Sequence, residues 1–221
     1  MIMRKTRTMI GLLSVALMGA AGCATNPVTG ERELALVSES QEIAMGKEAV
    51  PQVEASIGLV EDAALQTYVR RIGLGLAAQS ERPNLPWSFG VLDDPTPNAF
   101  ALPGGPVYIT RGLLSLMDSE AELAAVLGHE IGHITARHSV SQISRAQLAQ
   151  LGLGVGMILV PSLQGLGNVL GTGMQLLFLK YGRDDERQAD DLGFKYALAK
   201  SYDVREMDDV FAALQQVSQQ Q

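Results

Sequence analysis

The strongest chemical signal in the sequence is a pair of histidines four residues apart, His129 and His133, with Glu130 directly after the first. On a helix, residues at this spacing lie about 5–6 Å apart on one face, so both imidazoles can reach a single zinc ion. Glu130 is offset by one position, where it can lie beside the water on the metal and serve as a general base. The spacing therefore predicts a helix that carries a zinc-dependent hydrolytic site.

Two histidines do not complete a catalytic zinc site, which usually takes three protein ligands and leaves one position for water. Downstream, Glu186 and Asp190 stand four residues apart on a predicted helix. We predict that Glu186 is the third metal ligand, because a carboxylate is expected when no suitable third histidine exists. We also assign Asp190 to the catalytic site, since it can accept the second ring N–H of a zinc-bound histidine. The alternative for Asp190 is a solvated helix carboxylate.

Two further polar residues, His138 and Arg183, lie near these motifs, and each has more than one possible role. His138 follows His129 by nine residues, which turns it about 180° around a continuous helix. We expect His138 to hydrogen-bond at the helix end, and it can share the metal only if that helix breaks. Arg183 lies three residues before Glu186, and two interpretations stay open for it. It either contacts a carboxylate or the reacting carbonyl, or it forms a purely structural ion pair.

The elements that must position these residues follow from capping signals and hydrophobic periodicity. Ser119 and Glu122 form a capping box that opens the histidine-bearing helix, which is predicted to run to about Ser139. Gly128 and Gly132 inside this helix cost roughly 1 kcal/mol each relative to alanine, so another element should pack closely there. The whole pattern predicts an α+β fold that is mainly helical with a small antiparallel sheet. The other predicted elements are helices from Ser38, from Glu61 to about Ala78, from Asp184 to Lys200 and from Arg205 to Gln216, and strands Trp87–Leu92, Ala99–Leu102 and Val107–Thr110.

The N-terminal residues have the form of a bacterial secretion signal. Residues 1–22 combine a basic start with an apolar run that is shorter than the roughly 20 residues of a membrane-spanning helix. Small residues precede the only cysteine and resemble a lipobox, in which Cys23 is acylated and becomes the mature N-terminus. A buried, inert thiol is the alternative. We predict that residues 23–37 form a lipid-anchored tether, that order begins near Ser38, and that residues 38–221 form one domain.

Charge and hydropathy narrow the classes of function. Removing residues 1–22 removes three of the 17 lysines and arginines, which leaves 14 against 24 acidic residues and a net charge of −10. A chain this acidic is a poor partner for nucleic acid.

Residues 146–179 carry no charge, but Pro161 and several glycines divide them into pieces shorter than roughly 20 residues. We predict a non-spanning hairpin there, which covers the active site, touches the membrane surface or completes the core.

Three motifs together carry a resemblance to a known family. They are the HExxH segment His129–His133, the ExxxD segment Glu186–Asp190 and the upstream segment Asn98–Gly105. With these motifs the sequence resembles the HtpX-like and CAAX-prenyl-protease-like zinc peptidases, metallopeptidase family forty-eight, over roughly Ser38–Lys200. The resemblance implies a gluzincin-type domain with one Zn²⁺ per chain, in which the strand edge at Ala99–Leu102 can pair with an extended substrate.

The resemblance and the lipobox together imply a place and a role for the protein. They point to the periplasmic lipoprotein branch of the family, on the periplasmic face of the outer membrane of a bacterial envelope. The expected function is zinc-dependent endopeptidase activity on misfolded or unassembled envelope proteins, in protein quality control. The rival hypotheses are a lipid-anchored chaperone or assembly factor with little proteolytic activity, and a membrane-surface adaptor. The open coordination position argues against the chaperone, because a structural zinc site would normally be closed by four protein ligands. The adaptor hypothesis leaves Glu130 and the histidine pair without a purpose.

Overall fold

The computed structural model describes residues 23–150, 181–203 and 205. Three sequence predictions fall outside the described residues, wholly or in large part: the signal peptide at residues 1–22, the apolar hairpin at residues 146–179 and the final helix from Arg205. These three stay predictions. Within the described ranges, none of the helices has the length and hydropathy that spanning a bilayer requires.

The described part of the chain contains six helices and five strands, and two of the long helices begin at the capping residues predicted from the sequence, Ser38 and Ser119. Ser38 caps the first long helix through a complete capping box with Gln41, Asp62 caps the second, and Ser119 caps the helix that bears the histidines. The strands are β1 (Cys23–Thr25), β2 (Arg32–Leu34), β3 (Ser88–Leu92), β4 (Ala99–Ala101) and β5 (Pro106–Thr110). The helices are α1 (Glu39–Ile57), α2 (Ala63–Ala77), α3 (Arg111–Leu114), α4 (Glu120–Thr135), α5 (His138–Gln150) and α6 (Arg183–Ala199).

The main sheet has three strands in the order β3-β5-β4. Strands β4 and β5 are antiparallel, as predicted, and join through a turn in which Gly104 and Gly105 have φ angles of 79° and 136°. Strand β3, however, runs parallel to β5, so the expectation of a wholly antiparallel sheet is wrong. The chain from β3 crosses over through β4 before it reaches β5, and a crossover of about a dozen residues is what a parallel pair requires. The α+β, mainly helical fold class is confirmed.

The sheet is buried on both faces, which divides the core in two. Side chains alternate along β5, so Val107 and Ile109 face one cluster while Tyr108 faces the other. The first cluster joins the sheet to α2, α4 and α6, and the second joins it to α1 and α5. Principal members of the first are Val69, Leu76, Val91, Leu127, Ile131 and Tyr196, and of the second Val53, Leu92, Leu102, Val140 and Ile143.

The segment predicted to be a tether is folded onto the domain, so the prediction that order begins near Ser38 is wrong. Strands β1 and β2 form an antiparallel pair in which Cys23 is opposite Leu34. Beyond it, the Leu36 backbone N–H donates to Ser144 Oγ of α5 at 2.9 Å. Asn26 is buried, and its side chain donates to the Ala136 carbonyl, just after α4. Polar composition suggested a linker, but buried hydrogen bonds and a strand ladder fix this segment.

The helix that bears the histidines is shorter than predicted. It ends at Thr135 instead of near Ser139, and a new helix starts at His138. Arg137 between them has a φ of 60°, a left-handed conformation that residues other than glycine adopt only at a cost. The continuous helical periodicity gave no sign of this break.

Candidate metal centre

Helix α4 places His129 and His133 on its inner face with their Nε2 atoms 3.0 Å apart. Two hydrogen bonds fix the start of the helix. The Ser119 side chain accepts a hydrogen bond from the Glu122 N–H, and the Glu122 carboxylate accepts one from the Asp118 N–H. The predicted four-residue spacing therefore brings the two nitrogens to one point.

Helix α6 approaches α4 more closely than ordinary side chains would allow. Gly128 and Gly132 on α4 meet Ala189 and Gly193 on α6, backbone against backbone. A Cβ added at Gly128 would lie 3.0 Å from Gly193, and one added at Gly132 would lie 2.9 Å from the Ala189 carbonyl oxygen. The close packing expected at these two glycines is therefore present, and it brings the first turns of α6 to the histidines.

This crossing brings the three predicted ligands together. The Glu186 carboxylate lies 3.5 Å from His129 Nε2 and 3.9 Å from His133 Nε2, and the ligand atoms of the three residues lie within 4.8 Å of one another. Two imidazole nitrogens and one carboxylate oxygen match the donor set of catalytic zinc, which keeps a position for water. The side chain of Glu186 is 47% exposed, so the centre opens to solvent.

Asp190 lies behind the first histidine, where the sequence predicted a hydrogen-bond acceptor. Its Oδ1 is 2.8 Å from His129 Nδ1. Burial disfavours the charged imidazole, but the hydrogen bond to Asp190 and the nearby carboxylates outweigh it and raise the pKa of His129. With the ring proton on Nδ1, the Nε2 lone pair is left for the metal. The Asp190 side chain is half exposed, and its contact with His129 favours the predicted role over that of a carboxylate surrounded only by solvent.

Glu130 lies beside the ligands in a half-buried position. Burial raises its pKa to about 7, and the effects of its charged neighbours on that pKa are opposed: His129 lowers it and Glu186 raises it. The backbone N–H of Ala101, on edge strand β4, donates a hydrogen bond to the Glu130 carboxylate. A carboxylate that is held in place and titrates near neutrality suits proton transfer in both directions.

Because α4 ends before His138, the His138 side chain lies against His133. A continuous helix would have placed it on the opposite face. Its Nδ1 lies 2.9 Å from His133 Nδ1, and its Nε2 lies 2.9 Å from Gln188 Oε1 of α6. His138 thus hydrogen-bonds near the helix end, as expected, but to a predicted metal ligand. The group of possible metal ligands within the described residues does not include it. Burial lowers the pKa of His133 well below its usual value, and the adjacent His129 and His138 lower it further.

A stacked tyrosine also holds the second histidine. The ring of Tyr181 lies 4.1 Å from that of His133 at an interplanar angle of 21°, and its hydroxyl lies 2.9 Å from Ser139 Oγ. Sequence reasoning did not find the parts played by Gln188, Ser139 and this stacking, because they depend on the break. Arg183, whose role was left open, is exposed and forms no ion pair within the described part of the chain.

A buried ionic cluster fixes the break itself. Glu42 of α1 is 1% exposed and lies between two arginines that are also buried. Arg82 donates to both of its oxygens, at 2.8 and 3.0 Å, and Arg137 donates to Oε2 at 3.1 Å. Arg82 also donates to the Ile134 carbonyl at the end of α4, at 2.8 Å. The cluster therefore caps α4 and holds Arg137 in its left-handed conformation.

Comparison with known proteins agrees with this geometry. The profile of Peptidase family M48 matches residues 63–218, well over half of the chain. The chain belongs to peptidase family M48. The resemblance drawn from the three motifs is thereby confirmed, and the α+β, mainly helical architecture fits an M48 metallopeptidase domain.

Several relatives of this M48 chain are proteases by name. The chain is 33% identical to a beta-barrel assembly-enhancing protease of Yersinia pestis over 189 residues, which cover 82% of this chain and 39% of that protein. For the protein of that name in Escherichia coli K12 the identity is 30% over 206 residues, with coverages of 90% and 42%. A mitochondrial metalloendopeptidase OMA1 of Schizosaccharomyces pombe is 38% identical over 121 residues, with coverages of 53% and 36%. The M48 chain thus spans about two fifths of the length of the curated relatives it matches.

Proposed function

We propose that this protein is a zinc-dependent metalloendopeptidase, with His129, His133 and Glu186 as the metal ligands. The observation that carries the proposal is the convergence of these three side chains from two helices, within 4.8 Å of one another, beside a carboxylate that accepts a hydrogen bond from strand β4. Membership of a metallopeptidase family gives the same class of reaction independently.

Zinc at this centre would polarise a peptide carbonyl and lower the pKa of a water molecule to about 7. Glu130 takes a proton as water attacks that carbonyl and then donates it to the departing amine. Asp190 keeps the ring proton of His129 on Nδ1 and fixes the orientation of that imidazole. The partial exposure of Glu186 leaves room for a polypeptide to reach the site.

Strand β4 offers a backbone edge on which an extended substrate can pair. Leu102 donates to the Pro106 carbonyl and Thr110 donates to the Asn98 carbonyl, so alternate residues of this strand face β5. The backbone groups of Ala99 and Ala101 therefore face the other way, and the Ala101 N–H already reaches Glu130. A substrate strand added at this edge would lie alongside the base and the metal ligands.

The relatives and the N-terminal sequence support a proposal for the substrates and the location. Two of the relatives described above are named for the assembly of beta-barrel proteins. We therefore infer that misfolded or unassembled envelope proteins are the substrates and that the protein acts in envelope quality control. The secretion signal and Cys23 support a lipid anchor on the periplasmic face of the outer membrane. Because Cys23 lies in β1, the lipid would attach next to the folded domain without an intervening tether.

The metal ligands are tested by measuring the zinc content of purified Glu186→Ala. We expect this variant to lose zinc and to stop cleaving casein, while chelator should stop cleavage by the unaltered protein. Asp184→Ala is the matched control, because Asp184 is on the same helix with a 99% exposed side chain. Full zinc content in Glu186→Ala would remove Glu186 from the ligand set. Tight zinc binding without any cleavage by the unaltered protein would favour the chaperone hypothesis.

The lipid anchor is tested by the incorporation of labelled palmitate. Incorporation that Cys23→Ser abolishes would support the anchor, and equal labelling of Cys23→Ser and the unaltered protein would refute it.

A further inference from the structure

The two predicted histidine ligands have different hydrogen-bond partners at Nδ1, the ring nitrogen that is not predicted to bind the metal. His129 Nδ1 faces a carboxylate, Asp190, whereas His133 Nδ1 faces the imidazole of His138, which in turn faces the side-chain amide of Gln188. His133 and His138 are almost fully buried, at 2% and 3% exposure. The second ligand thus ends a hydrogen-bonded chain of three side chains that lies inside the protein.

The protons in this chain can be arranged in only two ways when both rings are neutral. Each 2.9 Å contact holds one proton, and each ring carries one N–H. In the first arrangement His133 Nδ1–H donates to His138 Nδ1, and His138 Nε2–H donates to Gln188 Oε1. In the second, all three groups are reversed: the amide N–H of Gln188 donates to His138, and His138 donates to His133. The second arrangement leaves the proton of His133 on Nε2.

Only the first arrangement allows His133 to bind a metal, because only then does Nε2 present a lone pair. From this geometry we infer that His138 and Gln188 are positioning residues, which hold His133 in the tautomer that binds the metal through Nε2. The inference rests on the proposed metalloendopeptidase function and extends it to two residues outside the ligand set. Asp185 is not the acceptor, since its Oδ1 lies 3.9 Å from His138 Nε2.

The surrounding structure keeps these three groups aligned. Tyr181 stacks on the His133 ring and prevents it from rotating away from His138. The left-handed Arg137 turns the chain so that His138 faces back toward α4, and the hydrogen bond from Arg137 to Glu42 holds that turn. A non-glycine residue with positive φ costs free energy, and it persists where the surrounding structure requires it. Alignment of His138 with His133 is what this turn achieves.

Three variants test the inference, with zinc affinity measured by competition titration. His138→Phe keeps a buried ring but removes the acceptor, and we expect zinc binding to weaken about 10- to 100-fold, the usual effect of losing such a partner. Gln188→Met removes one neutral hydrogen bond at similar length, and we expect about a 2- to 10-fold loss. Gln188→Glu can only accept from His138, so it should retain the affinity of the unaltered protein. Gln147→Met, nine residues beyond His138 on α5, is the matched control and should change nothing.

A spectroscopic measurement on the zinc-loaded protein makes the test independent of activity. The chain has three histidines, so ¹⁵N-labelled histidine gives few signals. The inference predicts that His138 carries its proton on Nε2, and that Gln188→Met lowers the population of that tautomer. His138 protonated on Nδ1, or equal zinc affinity in Gln188→Met and the unaltered protein, would overturn it. If His138→Phe fails to fold, the comparison of zinc affinity between Gln188→Met and Gln188→Glu still tests the inference. Absence of zinc binding by the unaltered protein would instead overturn the proposed function and this inference with it.

Discussion

Gly193 of α6 lies directly against the backbone of His129, so that a Cβ added at Gly193 would stand 2.7 Å from the His129 amide nitrogen. That distance is shorter than any normal contact, and the neighbouring atoms are helix backbone that cannot move aside alone. The identity of one glycine therefore sets how closely Glu186 and Asp190 can approach the histidines.

Gly193→Ala should separate the two helices and weaken the metal centre. We expect a lower free energy of unfolding, by about 1–3 kcal/mol as for other overpacked sites, together with weaker zinc binding. Gly75→Ala on α2 is the control, because its added Cβ would meet only the end of the Lys200 side chain, at 3.4 Å. That variant should be stabilised by up to about 1 kcal/mol through helix propensity. Urea unfolding and a zinc titration measure both effects. A Gly193→Ala variant that resembles the control would show that the crossing tolerates expansion.

Asp190→Asn should weaken zinc affinity by about 10- to 100-fold while the protein stays folded. The reason is that a neutral amide supports the Nδ1–H tautomer of His129 less strongly than a carboxylate at 2.8 Å does. Asp191→Asn, the adjacent exposed residue on α6, makes the same chemical change away from the centre. Competition titration of zinc compares the two variants. Identical affinities for Asp190→Asn and the unaltered protein would leave the contact with His129 without a role in metal binding.

Glu42→Gln should destabilise the fold by about 3–5 kcal/mol, since it removes the one buried carboxylate that Arg82 and Arg137 share. Glu39→Gln is the matched control. Glu39 also pairs with Arg82, but its side chain is 64% exposed, and such pairs contribute at most about 1 kcal/mol. Chemical denaturation measures the difference. Equal midpoints for the two variants would show that the buried cluster does not hold the break after α4.

The residues that meet at the candidate metal centre could be predicted, because their spacing along the sequence places them on shared helix faces. His129 and His133 share a helix face at four residues, and Glu186 and Asp190 repeat that spacing on a second helix. Gly128 and Gly132 also predicted that another element packs closely against this helix. Their spacing did not identify Gly193 as the residue in contact.

Features that depend on distant contacts were not predictable in the same way. The sequence around Arg137 is helical in composition, and its left-handed conformation depends on Glu42, 95 residues earlier in the chain. Without that break, His138 cannot be placed against His133, and Gln188 has no visible purpose. The pairing of β1 with β2 and the parallel alignment of β3 with β5 are likewise set by tertiary packing, which short polar or apolar stretches do not specify.

The proteolytic role of Glu130 is the central claim, and one variant tests it most directly. Glu130→Gln keeps the size of the side chain and leaves both imidazoles and Glu186 in place, so zinc content and the unfolding midpoint should match those of the unaltered protein. Loss of the base should lower the rate of casein cleavage by about 10²- to 10⁴-fold, the contribution of general acid–base catalysis. The decisive measurement is therefore the cleavage rate per bound zinc. A rate at least 100-fold lower is the predicted result, and a rate close to that of the unaltered protein would contradict the mechanism.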